Sequence, residues 1–215
     1  MKTIRIGTND YSKTKIKNNI MKTYLLRIEK ENNHWYQEAN EWAVEVSEFL
    51  LSFTGQNVSV KQVLGVVSAL SPMQEWNKNK EIAIELIMTG DTGYMERGKQ
   101  KARDILKLAI AVADVPLNKR ENLKYIDTEI KSILNGEKTK TFYENMVYPT
   151  RSSGVTVDRH AISIAIGHIA DDKEQSISKD VYTFVEKCYI MTAETLGLAP
   201  LHLQSITWQT WKRIK

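Results

Sequence analysis

The apolar residues of this chain recur mostly every three or four positions, which is the period of helices that bury one face. Only four prolines and ten glycines interrupt the pattern, and strands are hard to find in it. A stripe beginning at Trp35 predicts a helix that runs to Phe53 and ends at Gly55. Ser59, with Gln62 three residues later, predicts the capped start of a central helix that is apolar on nearly all sides. The sequence therefore predicts an all-α fold.

The same spacing predicts further helices along the rest of the chain. Pro116 is expected to stop one of them, and Asn135-Gly136 interrupts another before helical spacing resumes after Thr139. The predicted segments run through Ile82 to Ile87 with an end at Gly90, from Lys99 to Val112, through Leu123 to Leu134, along the apolar face Ile162, Ala165, Ile166 and Ile169, from Lys179 to Leu196, and from Leu203 to Arg213. The polar stretch 171–176 is expected to form a loop.

Length and composition narrow the class of protein. With 215 residues, of which 42% are apolar, the chain fits one domain or two small lobes that share a core. The single cysteine, Cys188, excludes an internal disulfide or a cysteine-ligated metal centre, and its apolar surroundings predict a buried side chain. His34 and His168 share no metal-ligand spacing with each other or with carboxylates. We therefore expect neither a metal nor a cofactor.

The start of the chain predicts where the protein works. Its first residues lack the apolar segment of a signal peptide. No apolar run approaches the ~20 residues that a membrane helix needs. We therefore expect a soluble, cytoplasmic protein with no membrane partner.

The formal charge of +4, from 30 basic and 26 acidic residues, permits binding to nucleic acid without requiring it. Local basic clusters are more informative. They consist of Lys13, Lys15, Lys17 and Lys22; Arg97, Lys99, Lys101, Arg103 and Lys107; and Lys138 with Lys140. These clusters predict either a basic face that binds nucleic acid or solvated helix surfaces with acidic partners nearby.

The candidate chemistry is an amine and a carboxylate, each at the start of an apolar-periodic segment. Lys138 and Lys140 are like charges at a helix start, where the helix dipole also disfavours positive charge, and this favours a deprotonated, nucleophilic amine. Asp158 suits the stabilisation of a developing cation, or it is simply a helix cap. His160 is a candidate acid or base, or a structural hydrogen-bond donor.

Two motifs carry a family resemblance. They are Leu134-Asn135-Gly136-Glu137-Lys138-Thr139-Lys140-Thr141 and Val157-Asp158-Arg159-His160. The first resembles the hairpin pattern L-P-G-V-G-x-K-T of the helix-hairpin-helix DNA glycosylases, such as endonuclease III, and the second resembles their V-D-T-H. The separation of Lys140 from Asp158 matches that of the family's nucleophilic lysine and essential aspartate. Upstream, Val67-Ser68-Ala69 resembles the L-S-A that begins the base-flipping loop, so the resemblance covers roughly residues 59–170.

The resemblance implies a two-lobed helical fold with a cleft that receives a nucleotide flipped out of double-stranded DNA. It implies one lobe built from residues 1–58 and 171–215 and a second, glycosylase-like lobe at 59–170 that carries the hairpin 134–141. Lys140 is implied as the nucleophile and Asp158 as the group that stabilises positive charge on the sugar. The residues implied to contact DNA are Gly136, Lys138, Thr139, Thr141, Gln74, Trp76, Arg159 and His160. We expect the protein to act as a monomer.

The sequence departs from the family pattern in three respects. Lys138 replaces the second hairpin glycine, so its side chain is a candidate to bind phosphate where the family uses backbone amides. Leu70 replaces the glutamine that follows L-S-A, which leaves Gln74 or Trp76 to fill the gap left by an extruded base. The cysteines of the family's iron–sulfur cluster are missing. Either Lys138 or Lys140 can be the working amine.

The chain also resembles a group of phage and bacterial proteins. The similar phrases are Ala69-Leu70-Ser71-Pro72, Trp76 with Asn79, Phe142-Tyr143 with Asn145, Val155 to Ala161, and Gln204 with Thr207-Trp208. This resemblance implies a viral or mobile-element origin, and the host cytoplasm as the place of action for a phage protein.

Three functions follow from these observations. The first is a DNA glycosylase, with or without lyase activity, that removes a flipped modified or damaged base. The second is a phage thymine-hypermodification enzyme of the same fold, in which an amino acid or polyamine replaces an activated group on the base. The third is a non-catalytic DNA-binding module that keeps the hairpin scaffold.

Overall fold

The computed structural model describes residues 2–31, 33–113, 119–151 and 153–215, and these residues are mostly helical. The predicted all-α character is confirmed, in that the described residues are mostly helical. In chain order the elements are β1 Thr3–Ile6, β2 Asn9–Ser12, α1 Lys13–Leu25, α2 Trp35–Phe49, α3 Val60–Leu70, α4 Trp76–Thr89, α5 Glu96–Ala113, α6 Lys119–Leu134, α7 Glu137–Val147, α8 Arg159–Ile166, α9 Lys179–Leu196 and α10 Pro200–Ile214. The predicted stop at Pro116 lies outside the described residues.

The chain forms two compact units. Unit 1 contains residues 1–36 and 148–215, and unit 2 contains residues 37–147. The N-terminal and C-terminal segments thus belong to the same unit. The predicted divisions lie after residues 58 and 170, whereas the structure places them after residues 36 and 147.

A β-hairpin opens unit 1, which corrects the expectation of a chain without evident strands. Strands β1 and β2 are antiparallel, and Ile4 lies opposite Tyr11. Ile4, Ile6 and Tyr11 are buried, so the hairpin covers part of the helical core. Gly7 turns the chain with a φ of 59°, a conformation that costs glycine little. Strands of four residues are too short for alternation to stand out in a helical chain.

The helices α1, α8, α9 and α10 form the core of unit 1. Their buried apolar side chains include Ile16, Ile20, Ile162, Val185, Cys188, Tyr189, Leu203 and Trp211. The amide of Asn19 in α1 donates to the Ala165 carbonyl in α8 at 2.9 Å. The predicted inward position of Ile169 is wrong, because Gly167 ends α8 with a φ of 87° and leaves Ile169 64% exposed.

Helix α3 is the centre of unit 2, as its apolar composition predicts. All its residues from Gln62 to Leu70 are buried, and it packs against α4, α5, α6 and α7. The predicted capping box is confirmed, since the Ser59 hydroxyl accepts from the Gln62 amide and the Gln62 side chain accepts from the Ser59 amide. A β-carbon at Gly65 would lie 3.0 Å from Ile130 and 3.1 Å from Ile105, so this glycine allows close helix packing.

Two helix ends in unit 2 follow their sequence signals. After α2 the chain continues as a π-helical segment, Leu50–Thr54, and Gly55 ends it in the left-handed region with a φ of 70°. Gly90 ends α4 in the same region with a φ of 81°. Both ends were predicted from glycine, because glycine occupies this region without a steric penalty from a β-carbon.

Candidate functional site

The motif with the glycosylase resemblance forms a tight turn between two helices of unit 2. Helix α6 ends at Leu134, and α7 begins at Glu137. Asn135 adopts a φ of 64°, which asparagine tolerates better than most residues with a side chain. The Asn135 amide donates to the Lys131 carbonyl at 3.2 Å, and the Gly136 amide donates to the Leu134 carbonyl at 2.8 Å. Both turn amides are therefore engaged within the protein.

The first turn of α7 closes back onto this turn. The Lys140 amide donates to the Gly136 carbonyl at 2.9 Å. The Thr139 hydroxyl lies 3.0 Å from the Gly136 carbonyl oxygen and 3.3 Å from that of Leu134, and it donates to one of them at a time. Lys138 and Lys140 are half-exposed, whereas Thr141 is only 8% exposed and presents little surface to a ligand.

A buried ionic cluster fixes α6 against α7. The Asp127 carboxylate accepts a hydrogen bond of 3.1 Å from the Tyr143 hydroxyl. Its oxygens also lie 3.5 Å from Lys61 Nζ and 3.2 Å from Lys131 Nζ. Lys131 in turn pairs with Glu144 at 2.6 Å. A buried carboxylate needs such partners, and these contacts join α6 to α3 and α7.

Helix α5 brings Lys101 to the same turn. The Lys101 ammonium donates to the Leu134 carbonyl at 2.7 Å, where the negative end of the α6 dipole favours a cation. Burial, and then the positive charges of Arg97 and Lys140, lower the pKa of the Lys101 amine. Three cations thus lie close enough around the turn to act on one another.

The turn borders a cavity of about 410 Å³ that lies wholly within unit 2. Arg97 and Lys101 line it, and Ala69, Pro72 and Tyr94 contribute apolar surface. The Tyr94 hydroxyl donates to the Pro72 carbonyl at 2.6 Å, which holds the ring in place, and burial raises the pKa of Tyr94. A β-carbon at Gly98 would collide with the Tyr94 ring, so this glycine allows Tyr94 to pack against α5.

The other cations of α5 are neutralised. Lys99 pairs with Asp91 at 2.8 Å and with Glu96 at 2.9 Å, and Arg103 pairs with the same two carboxylates. Among the described residues, no carboxylate forms an ion pair with Arg97 or Lys101. The basic cluster of α5 therefore has two parts. Lys99 and Arg103 form ion pairs, whereas Arg97 and Lys101 line the cavity.

The loop between α3 and α4 carries the two residues predicted to fill a gap in DNA. Gln74 is exposed. Trp76 begins α4 and is half-buried, with its ring centroid 5.7 Å from that of Trp42 and Lys80 Nζ 5.6 Å above its face. Met73, in the same loop, was not predicted as a site residue; it has a φ of 65° and is 76% exposed. A positive φ at methionine leaves no signal in the sequence.

Asp158 is in unit 1, where it caps helix α8. Its Oδ1 accepts a hydrogen bond of 2.8 Å from the Ala161 amide. The buried segment before it is held by Tyr182, whose hydroxyl donates to the Val155 carbonyl at 2.8 Å. The helix-cap interpretation of Asp158 is thus confirmed. Arg159, the next residue, is exposed.

A buried phenol lies within the electrostatic reach of Asp158. Burial raises the pKa of Tyr189 well above its usual range, and the Asp158 carboxylate adds to this effect. The Tyr189 hydroxyl lies 3.4 Å from the Thr207 hydroxyl. The Asp158 charge and the buried Tyr189 phenol therefore influence each other within unit 1.

In unit 1, His160 is the first of a series of aromatic rings that contact one another. The His160 ring lies 6.4 Å from Trp208, and Trp208 lies 5.7 Å from Trp35. Tyr36, 5.0 Å from Trp35, donates to Gln204 Oε1 at 2.7 Å and lies 3.2 Å from the Thr156 hydroxyl.

His160 was predicted as a site residue, whereas Trp35, Tyr36 and Trp208 were not. Trp35 belongs to a helical stripe, and such stripes indicate core. No local pattern signals the contact of Tyr36 with a residue 168 positions away.

Among the residues that the structure describes, no group of three or more His, Cys, Asp or Glu side chains is placed to hold a metal ion. None of the described helices combines the length and apolar character needed to span a membrane.

The described residues form a mostly helical protein of two compact units, with a cation-lined cavity in one and a helix-capping aspartate in the other. The chain belongs to the family of unknown function DUF7178, whose model matches residues 2–215. No curated protein and no solved structure matches the chain significantly.

Proposed function

We propose that this protein is a DNA-base-processing enzyme of the helix-hairpin-helix glycosylase type. The observation that carries the proposal is the α6–α7 turn, because the hairpin-like motif forms two helices joined by two residues. Lys140 lies in the first turn of the second helix, beside the cation-lined cavity of α5. Positive charge around a turn suits a DNA backbone, and a primary amine suits covalent chemistry on its sugar.

In the proposed reaction, the deprotonated amine of Lys140 attacks C1′ of a flipped nucleotide. A carbon–nitrogen bond forms as the glycosidic bond breaks, and the electron pair of the broken bond leaves with the base. The Asp158 carboxylate stabilises the positive charge that develops on the sugar. The new ammonium gives one proton to the departing base and a second to O4′ as the C1′–O4′ bond breaks, so the sugar ring opens and an imine forms. Borohydride reduces such an imine to a stable amine.

Trapping with borohydride on duplexes that carry modified or damaged bases tests this proposal. We expect a covalent protein–DNA adduct with a suitable duplex. Lys140→Ala and Asp158→Asn should abolish it, and Lys107→Ala should leave it unchanged. Lys138→Ala decides which lysine is the working amine. Base release at the wild-type rate by Asp158→Asn would overturn the mechanism. Mass spectrometry of the nucleosides distinguishes excision of the base from addition to it. The hypermodification hypothesis predicts addition.

A second candidate is a non-catalytic DNA-binding module. It is favoured by the hydrogen bond from the Ala161 amide, since helix capping alone accounts for an aspartate at position 158. This candidate predicts that a Lys140→Ala, Asp158→Asn double variant binds DNA as well as the wild type does. It also predicts no turnover of any modified duplex by the wild-type protein.

A further inference from the structure

We infer that the cavity in unit 2 binds a phosphate group of the DNA backbone through the side chains of Arg97 and Lys101. The inference rests on the proposed function, because that function identifies the ligand as DNA. It differs from the expectation for the hairpin motif, in which phosphate is bound by the backbone amides of the turn or by the Lys138 side chain.

The turn amides are poor donors for a phosphate in this protein. The Asn135 and Gly136 amides already donate to carbonyls of α6. A phosphate could recruit them only by breaking those two hydrogen bonds, which would leave the Lys131 and Leu134 carbonyls with one partner fewer.

The α5 side chains supply the missing donors. An ammonium has three hydrogens, and the bond to the Leu134 carbonyl engages only one of those of Lys101. Arg97 precedes Lys101 by four residues, so both side chains project from the same face of α5. Among the described residues, no side chain or carbonyl accepts a hydrogen bond from the Arg97 guanidinium. A guanidinium, which can donate two parallel hydrogen bonds, suits a phosphate group when an ammonium lies beside it.

The charge distribution also points to an anion. Asp91 and Glu96 neutralise Lys99 and Arg103, whereas no carboxylate of the described residues forms an ion pair with Arg97, Lys101 or Lys140. Mutual repulsion of these cations is unfavourable in the free protein. A bound phosphate would relieve it, whereas a neutral ligand would not.

The cavity has room for more than a phosphate. Its volume of about 410 Å³ and its apolar surface at Pro72, Tyr94 and Met95 leave space for an adjoining sugar. A free nucleotide shares this chemistry, so the test must separate the two sources. An internal phosphate of duplex DNA is the source we infer.

Binding of a fluorescent DNA duplex at several salt concentrations tests the inference. We expect Arg97→Gln to weaken binding on the order of tenfold and to reduce the salt slope by about one, as the loss of one phosphate contact predicts. Lys101→Gln should act similarly, because its amide can still donate to Leu134 while the charge is lost. The matched control is Lys107→Gln, on the same helix, because the Lys107 side chain is 68% exposed and pairs with Asp104.

Two results would overturn the inference. One is duplex binding by Arg97→Gln and Lys101→Gln that equals binding by Lys107→Gln. The other is a wild-type protein that binds a deoxynucleoside monophosphate through Arg97 but binds no duplex, which would assign the cavity to a free nucleotide. Borohydride trapping keeps this inference separate from the proposed function. If the wild type forms an adduct and Arg97→Gln binds duplex DNA as the wild type does, only the inference is refuted. If duplex binding depends on Arg97 but the wild type turns over no modified duplex, only the proposed enzymatic function is refuted.

Discussion

The ammonium of Lys101 donates to the Leu134 carbonyl at 2.7 Å, and this bond ties the middle of α5 to the last turn of α6. The two residues are 33 positions apart, so the bond forms only when both helices are packed. It places a cation at the centre of the turn that the proposed function depends on.

Lys101→Met should destabilise the protein although it removes a repelled charge. Loss of a hydrogen bond to a charged group costs about 1.5–3 kcal/mol, whereas relief of repulsion between partly exposed charges returns about 1 kcal/mol or less. We expect a net loss of about 1 kcal/mol in the free energy of unfolding, measured with urea. Lys107→Met should change this free energy by less than about 0.5 kcal/mol. Equal values for the two variants would show that the bond contributes nothing.

Gly98→Ala should destabilise unit 2, contrary to the usual effect of alanine in a helix. Alanine normally favours a helix over glycine by about 1 kcal/mol. At this position the new methyl group collides with the Tyr94 ring, and such overpacking costs about 1–3 kcal/mol. A β-carbon at Gly93 meets no atom within 4 Å, so Gly93→Ala is the control. Thermal unfolding of both variants checks the sign, and a Gly98→Ala protein more stable than the wild type would contradict the packing described for Tyr94.

Asp158→Asn and Asp158→Ala separate the capping role from the proposed chemistry. Asparagine caps a helix about as well as aspartate, whereas alanine costs about 1 kcal/mol. We therefore expect the unfolding free energy to fall for Asp158→Ala and to stay close to the wild-type value for Asp158→Asn. Base release should be lost in both variants. Loss of activity in Asp158→Ala alone would assign the residue to the helix cap and remove it from the reaction.

The Glu31 carboxylate should make unit 1 sensitive to acid. Burial opposes its ionisation, but hydrogen bonds from Arg213, the Ile28 amide and Thr210 outweigh it and lower the pKa of Glu31 below its ordinary 4.5. A lowered folded-state pKa contributes stability that is complete above pH 4.5 and is lost as the pH falls through the folded value.

The Glu31→Gln variant checks this dependence. We expect it to be less stable than the wild type at neutral pH and to lose less stability than the wild type between neutral pH and pH 3. Urea unfolding across this range is the measurement. Parallel pH profiles for the two proteins would mean that Glu31 titrates alike in the folded and unfolded chains.

Cys188 should report the opening of unit 1. Its side chain is buried, and burial, opposed by Lys13 and Lys17, raises the pKa of the thiol to about 11. Alkylation requires the thiolate, so labelling by iodoacetamide at pH 8 should be at least about a hundredfold slower in the folded protein than in urea. Mass spectrometry of timed samples measures the rates. Rapid labelling without denaturant would contradict the burial of this thiol.

The local signals in the sequence were sufficient for most helices. The structure matches the prediction for Lys179–Leu196 at both ends, and it confirms the capping box at Ser59. The end of α8 was missed, because the stripe through Ile169 continues the helical period beyond Gly167. The β-hairpin was missed because its four-residue strands carry only three buried apolar residues, Ile4, Ile6 and Tyr11.

The sequence of the candidate site indicated which residues have suitable chemistry, but not which of them are already engaged. Arg97, Lys99, Lys101 and Arg103 form one basic run in the sequence, yet ion pairs neutralise Lys99 and Arg103 and leave the other two for the cavity. The turn amides carry no sequence signal of their hydrogen bonds to α6.

The sequence by itself determined where helices form and where they are capped, because helical period, glycine ends and capping residues act between neighbours along the chain. It also determined that an amine and a carboxylate stand at two helix starts. Only the tertiary structure decided that Lys101 meets Leu134 and that Tyr36 meets Gln204. Such contacts depend on how whole helices pack, and many packings satisfy the same local pattern.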